Sequence, residues 1–212
     1  MVATARLSRI LFLGLTWIAT SALAQDAVAT SQESTSSTST ASSDAPGAGP
    51  MTMAQAMTPG DPHAYLAEQV GTWKLTILVW MHPDGQPLES HGTAERRMIL
   101  DGRVLHEVFR SEVLGRPFDA VGHIGYDNVT GRYWTTFFDN WSTGLTTLNG
   151  SLDPSTGKGT LLGETPLAQA GDMVPMRMEL YPDDDGRQVV DSYMPMPEHG
   201  DMLTMRVVYE RP

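Results

Sequence analysis

No cysteine occurs anywhere in the 212 residues, so no disulfide can hold the chain together. In an oxidising compartment its stability must come from burial and hydrogen bonding instead. A basic tract is also missing, and the formal net charge is −11 with histidine neutral. Such a field repels phosphates, which argues against nucleic acid and anionic lipid surfaces as partners. No phosphate loop, no Gly-x-Ser-x-Gly elbow and no His-x-x-x-His spacing is present. The six histidines, His63, His82, His91, His106, His123 and His199, stand apart from one another. No catalytic residue is therefore assigned, and the balance falls against an enzyme. No apolar run reaches the ~20 residues a helix needs to cross a bilayer.

What the sequence does contain begins with an address. Arg6 and Arg9 precede the apolar run from Ile10 to Ala19, and the small-residue site Ala22-Leu23-Ala24 follows. Residues 1–24 thus read as a secretory signal peptide cleaved before Gln25, with an uncleaved anchor as the alternative. Cleavage removes two arginines and leaves 12 basic against 25 acidic residues, a charge of −13. The mature chain is expected in the periplasm or outside the cell, without stable membrane insertion. From Thr30 to Ser43 no apolar side chain larger than alanine occurs. Such a stretch cannot offset its ordering entropy, so residues 25–60, with their Pro-Gly and Met-bearing continuation, read as a disordered tether.

Residues 61–212 have the size of one domain. Asp61-Pro62 resembles a helix start, and Ala64, Leu66, Ala67 and Val70 give one short amphipathic helix ended by Gly71. The period then falls to two: Trp73, Leu75, Ile77, Val79 and Met81 alternate with polar or mixed positions. Further strands are expected near 88–100, 102–113, 117–126, 132–140, 143–152, 158–164, 173–181, 187–194 and 202–210. Turn residues separate them, most plainly Asp127-Asn128-Val129-Thr130-Gly131 between aromatic arms, where Asn and Gly tolerate the positive φ of tight corners. About ten short strands in sequential order describe an all-β fold, a closed antiparallel meander β-barrel with one short N-terminal helix. A β-sandwich would use the same strands and stays open as the alternative.

An ordered set of motifs runs along this domain: Gly71-Thr72-Trp73, Gly92 to Leu100, Gly102-Arg103, Pro117-Phe118, Gly122 to Asn128, Thr130 to Tyr133, Asp139 to Gly144 and Gly163-Glu164. Together they resemble the secreted bacterial family named domain of unknown function 1579. The Gly-x-Trp opening alone resembles that of lipocalins and other calycin barrels. What these resemblances imply is a lipocalin-like barrel with Trp73 at its floor and Arg206 or Arg211 over the indole. They bring no activity and no catalytic residues.

Such a barrel has room for a small apolar molecule, or fills its interior with its own side chains. Period two divides Val104 to Arg110 into two mixed faces, one carrying His106 and Arg110, the other Glu107. It likewise places Arg96 opposite in sense to Glu95 and Arg97, so at least one charge of this strand points inward. An inward charge calls for a partner, either a Glu–Arg pair between neighbouring strands or a ligand. Arg96, Arg97 and His106 are therefore candidate ligand contacts, as is the polar strand end Asp139, Asn140, Trp141 and Ser142, which could equally be a hydrogen-bonded turn. A haem site would need an inward histidine, His106 or His123. Met194, Met196, His199 and Met202 form a second, different candidate, a Cu(I) site of soft ligands. The ligand itself and any cofactor are not specified by the sequence.

Overall fold

The computed structural model describes residues 51–167, 170–196 and 200–212. The signal segment 1–24, the tether up to residue 50 and His199 lie outside the described residues. Two helices lead the fold, α1 (Met53–Met57) and α2 (Asp61–Glu68). Ten strands follow: β1 (Gly71–Val79), β2 (Leu88–Ile99), β3 (Val104–Val113), β4 (Arg116–Asp127), β5 (Arg132–Asp139), β6 (Thr146–Asp153), β7 (Lys158–Leu167), β8 (Asp172–Pro182), β9 (Gln188–Met196) and β10 (Gly200–Glu210). Each strand pairs antiparallel with its neighbours in sequence, and β10 pairs with β1 from Lys74↔Glu210 to Val79↔Met205. The sheet is a closed barrel, not a sandwich, so among the described residues no strand edge is left unpaired.

The stretch from 51 to 60 departs from the expected tether. Thr52 and Gln55 form a reciprocal capping box that starts α1. The segment is then tied to the barrel from the strand connections. The Asn128 amide donates to the carbonyls of Gln55, Ala56 and Thr58 at 3.0, 3.3 and 2.8 Å, and Arg103 Nη2 donates to Met57 O at 2.8 Å. Asn128 accordingly spends its side chain on α1. The positive φ of this corner falls on Gly131 (66°) alone, while Asp127 accepts from Val129 N and Thr130 Oγ1. The β6–β7 corner repeats the device with Asp153, Ser155, Thr156 and Gly157.

These corners and α2 share one end of the barrel, the floor. Trp73 seals it: its indole N–H donates to Gln69 O at 3.0 Å, and the Arg211 guanidinium lies 4.4 Å from its ring. Arg211 also donates to Glu68 O and Val70 O, so the last strand's end clasps the open carbonyls closing α2. Arg206, the other expected cation, instead binds Asp191 on the outer surface. Inside, one apolar cluster gathers Trp73, Leu75, Ile77, Phe109 and Val207, and a second joins Leu66 of α2 to Leu105, Tyr133, Leu148 and Leu161. Among the described residues no helix is long and apolar enough to cross a membrane.

Candidate functional site

The barrel encloses a cavity of about 220 Å³. Its walls are mainly apolar, among them Phe109, Phe118, Ile124, Phe137, Leu161 and Met178. Comparison sets the scale: an apolar cavity near 150 Å³ accommodates benzene. Tyr65 and Leu66 of α2, with Gln69 capping its end, form the floor side of the space.

A charged pair stands inside this wall. The run Glu95-Arg96-Arg97 puts alternate side chains on opposite faces, and register with β3 decides which is inward: Arg96 lies opposite Glu107, and Arg97 opposite His106. Arg96 is 5% exposed and Glu107 6%. The Arg96 guanidinium donates from Nε to Glu107 Oε2 and from Nη1 to Gln188 Oε1 at 2.8 Å. Its face lies 4.1 Å from the Tyr209 ring centre and 5.3 Å from that of Trp73. Tyr209 O–H donates to the other carboxylate oxygen of Glu107 at 3.3 Å. Burial opposes the Arg96 charge, but Glu107 and Tyr209 together more than offset it and the Arg96 pKa is raised. Burial also raises the Tyr209 phenol, with the Glu107 charge acting in the same sense. The pair is thus internally compensated, with ring faces shielding it from water.

Tyr133 contrasts with this saturated cluster. It begins the inward row of β5 with Thr135, Phe137 and Asp139, is 4% exposed and lines the cavity. Its hydroxyl finds no hydrogen-bond partner among the described residues. Burial, with Tyr65 and Tyr126 nearby, pushes its pKa up to about 12, so the group stays a neutral donor. Higher in the wall, Thr146 and Thr165 share a hydrogen bond of 2.6 Å.

Two of the sequence candidates fall on the outer surface. Arg97 is exposed, and His106 Nδ1 lies 3.1 Å from His123 Nε2, which itself reaches Thr136 Oγ1 at 3.3 Å through Nδ1. Neither histidine can act from inside the lumen, which corrects the expectation for Arg97 and His106 and removes both histidines as inward haem ligands. The physical reason is parity: they occupy the row whose neighbours Arg96, Glu107 and Gly122 face inward.

The strand end 139–142 is divided in the same way. Asp139 lines the cavity, but its carboxylate accepts from the backbone N–H groups of Trp141 and Ser142 at 2.7 and 2.8 Å. Asn140 Oδ1 accepts from Asp119 N, and the Trp141 indole donates to Pro117 O at 2.8 Å. Trp141 also meets Phe118 edge-on, with Arg116 over its ring. Asn140, Trp141 and Ser142 are exposed and knit the β5–β6 turn onto the start of β4. They form a turn at the end opposite the floor, where Asp139 alone of the four faces the lumen.

Of the methionines, Met194 lies opposite Met202 in the β9–β10 register, and Met196 follows two residues on along β9. Their side chains belong to the same strand pair, whereas His199 lies outside the described residues. Tyr133, Gln188 and Tyr209, which carry much of the polar chemistry of the lumen, went unmarked in the sequence. Their signal would have been strand register, since each is one member of an ordinary period-two strand.

The family model for "Protein of unknown function (DUF1579)" matches residues 58–211. The chain belongs to this family. The match starts just before α2 and ends within the Arg211 clasp, so the family's extent coincides with the sealed barrel and leaves α1 outside it. No curated protein matches the chain.

Proposed function

We propose that this DUF1579 protein holds a small, mainly apolar molecule in its barrel lumen. The supporting observation is the cavity of about 220 Å³ with walls of Phe, Leu, Ile and Met side chains. A barrel that served only as a rigid surface would fill this space, because close packing is worth several kcal/mol in a core of this size. Scaled from benzene in a cavity near 150 Å³, the space suits a guest of about nine non-hydrogen atoms.

The chain is further proposed to work in the periplasm or outside the cell, on the strength of Arg6, Arg9, the apolar run 10–19 and Ala22-Leu23-Ala24. A mature N-terminus at Gln25 in protein recovered from its own cell supports this, and an intact residue 1 overturns it.

Native mass spectrometry of that protein, combined with the Val190→Phe variant, tests the lumen reading. Val190 lines the cavity, so the larger ring should occupy it, raise Tm and displace a co-purifying organic mass. A fall in Tm from overpacking, with no organic mass in the wild type, would mean the lumen is already full.

The opposition of Met194 and Met202 supports a second reading, Cu(I) held by thioethers. It requires a mass increment of one copper that Met196→Leu abolishes. A wild-type protein that takes up no copper rejects it.

A further inference from the structure

Building on the lumen reading, we infer that the guest is uncharged, carries a hydrogen-bond-accepting oxygen, and binds with that oxygen against the Tyr133 hydroxyl at the floor end. Its apolar body then extends toward the β5–β6 turn. Three observations carry this.

Tyr133 is buried, faces the cavity and has an O–H with no partner among the described residues. A buried donor left unsatisfied is costly, and an acceptor oxygen on a guest would remove that cost. The hydroxyl does not ionise in the physiological range, since burial pushes it up to about 12. It can therefore donate but does not offer a negative charge to a cationic guest.

The charges of the lumen are committed elsewhere. Arg96 is engaged by Glu107, Gln188 and the face of Tyr209. A carboxylate guest would have to displace Glu107, which is itself buried, or stand uncompensated in an apolar wall. A cationic guest meets the same obstacle at Asp139, whose oxygens accept from the turn behind it. Neutrality is the remaining match to this lining.

Polarity is also distributed along the barrel in a way that orients the guest. Tyr133 opens β5 at the floor, beside Leu105, Leu148 and Leu161, and near Tyr65 and Tyr126. Farther along the strands come Phe137, Phe118 and Phe109. A guest with its oxygen at the floor leaves an apolar body against these three rings.

Three probes with the same number of non-hydrogen atoms separate the possibilities: propiophenone, n-butylbenzene and phenylacetate. Their affinities would be measured by calorimetry or competition against a fluorescent apolar dye, for the wild type and for Tyr133→Phe. The expected result is that the ratio of propiophenone to n-butylbenzene affinity falls by about tenfold in Tyr133→Phe, with n-butylbenzene binding unchanged. Phenylacetate should bind the wild type more weakly than either. An unchanged ratio, or phenylacetate as the tightest of the three, overturns the inference while leaving the lumen reading intact. Failure of all three to bind the wild type overturns both.

Because Tyr133→Phe removes a hydroxyl that has no partner, its Tm should not fall. A direct readout stands beside the variant: the carbonyl stretch of bound propiophenone in the wild type should lie below its frequency in alkane solvent. An unshifted stretch counts against the Tyr133 contact whatever the variant does.

Discussion

The molecule carries two buried carboxylate–guanidinium pairs on opposite faces of the same sheet, and they are built differently. Inside, both members are sequestered: the side chains of Arg96 and Glu107 are 3% and 8% exposed. Outside, Asp191 is equally buried at 1%, but Arg206 keeps 35% of its side chain in solvent. Asp191 is covered by its own donors. Arg206 binds it through Nε and Nη2, both at 2.7 Å, while Tyr181 and Tyr193 hydroxyls donate at 2.8 and 3.4 Å. The hydrogen bonds that Arg206 donates to Asp191 raise the Arg206 pKa, and burial followed by the Asp191 bond pushes the Tyr181 phenol up to about 12. The outer carboxylate thus has four donors and a guanidinium still in contact with water. The inner pair has almost no water contact to fall back on, and leans on Gln188, Tyr209 and aromatic faces.

The largest expected effect follows from breaking the inner pair. Glu107→Ala leaves the Arg96 guanidinium charged and uncompensated in an apolar wall, which should cost about 3 to 5 kcal/mol in urea unfolding. The joint replacement Arg96→Met with Glu107→Leu should recover most of that loss, because two apolar side chains of similar volume need no partner. If the double variant is as unstable as Glu107→Ala alone, the pair holds the wall by more than mutual compensation.

Asp191→Asn should cost less, about 2 kcal/mol, since it keeps acceptor and donor capacity while removing the charge that Arg206 and Tyr181 address. Salt sharpens the contrast. Raising ionic strength from about 0.1 M to 1 M shortens screening from about 10 Å to 3 Å, and half-exposed Arg206 feels it. The difference between wild type and Asp191→Asn should therefore shrink with salt, and that for Glu107→Ala should hold. Equal salt dependence would erase the distinction between the two environments.

Much of the architecture is legible in the sequence, because turn chemistry and period two are local. Asp127 to Gly131 and Asp153 to Gly157 mark their corners by side-chain bonds made within five residues. The Trp73 floor was legible only as a resemblance, and the choice of Arg211 over Arg206 needed the register of β10 against β9, where Arg206 meets Asp191. The site was far less legible. In Tyr133-Trp134-Thr135-Thr136-Phe137-Phe138 both faces carry aromatic residues. Hydropathy alternation therefore cannot say that Tyr133 and Phe137 face in, while Trp134 packs across Gly125, where a Cβ would collide with the indole. The same ambiguity let Arg97 and His106 stand as lumen candidates beside Arg96. Adjacent charges on one strand point to opposite faces, and only pairing with Glu107 and His106 tells which is which.

The smallest expected effect concerns the outer face again, at the pair of histidines. Partial burial lowers the His106 pKa, and His123 and Arg97 act in the same direction. Burial also lowers that of His63, on the buried face of α2 against Tyr126, with a backbone hydrogen bond at Tyr126 opposing. Both groups take up protons more readily when the chain unfolds. Their contribution to stability is therefore complete above the ordinary histidine value near 6.5 and is lost as pH falls through the lowered folded values. Urea midpoints should decline as pH drops below about 6.5. His106→Gln should flatten part of that decline by removing the group that resists protonation between His123 and Arg97, leaving the share that belongs to His63. An unaltered pH profile in His106→Gln would place the whole acid response elsewhere, and would mean that the lowered pKa of His106 contributes nothing measurable to folding.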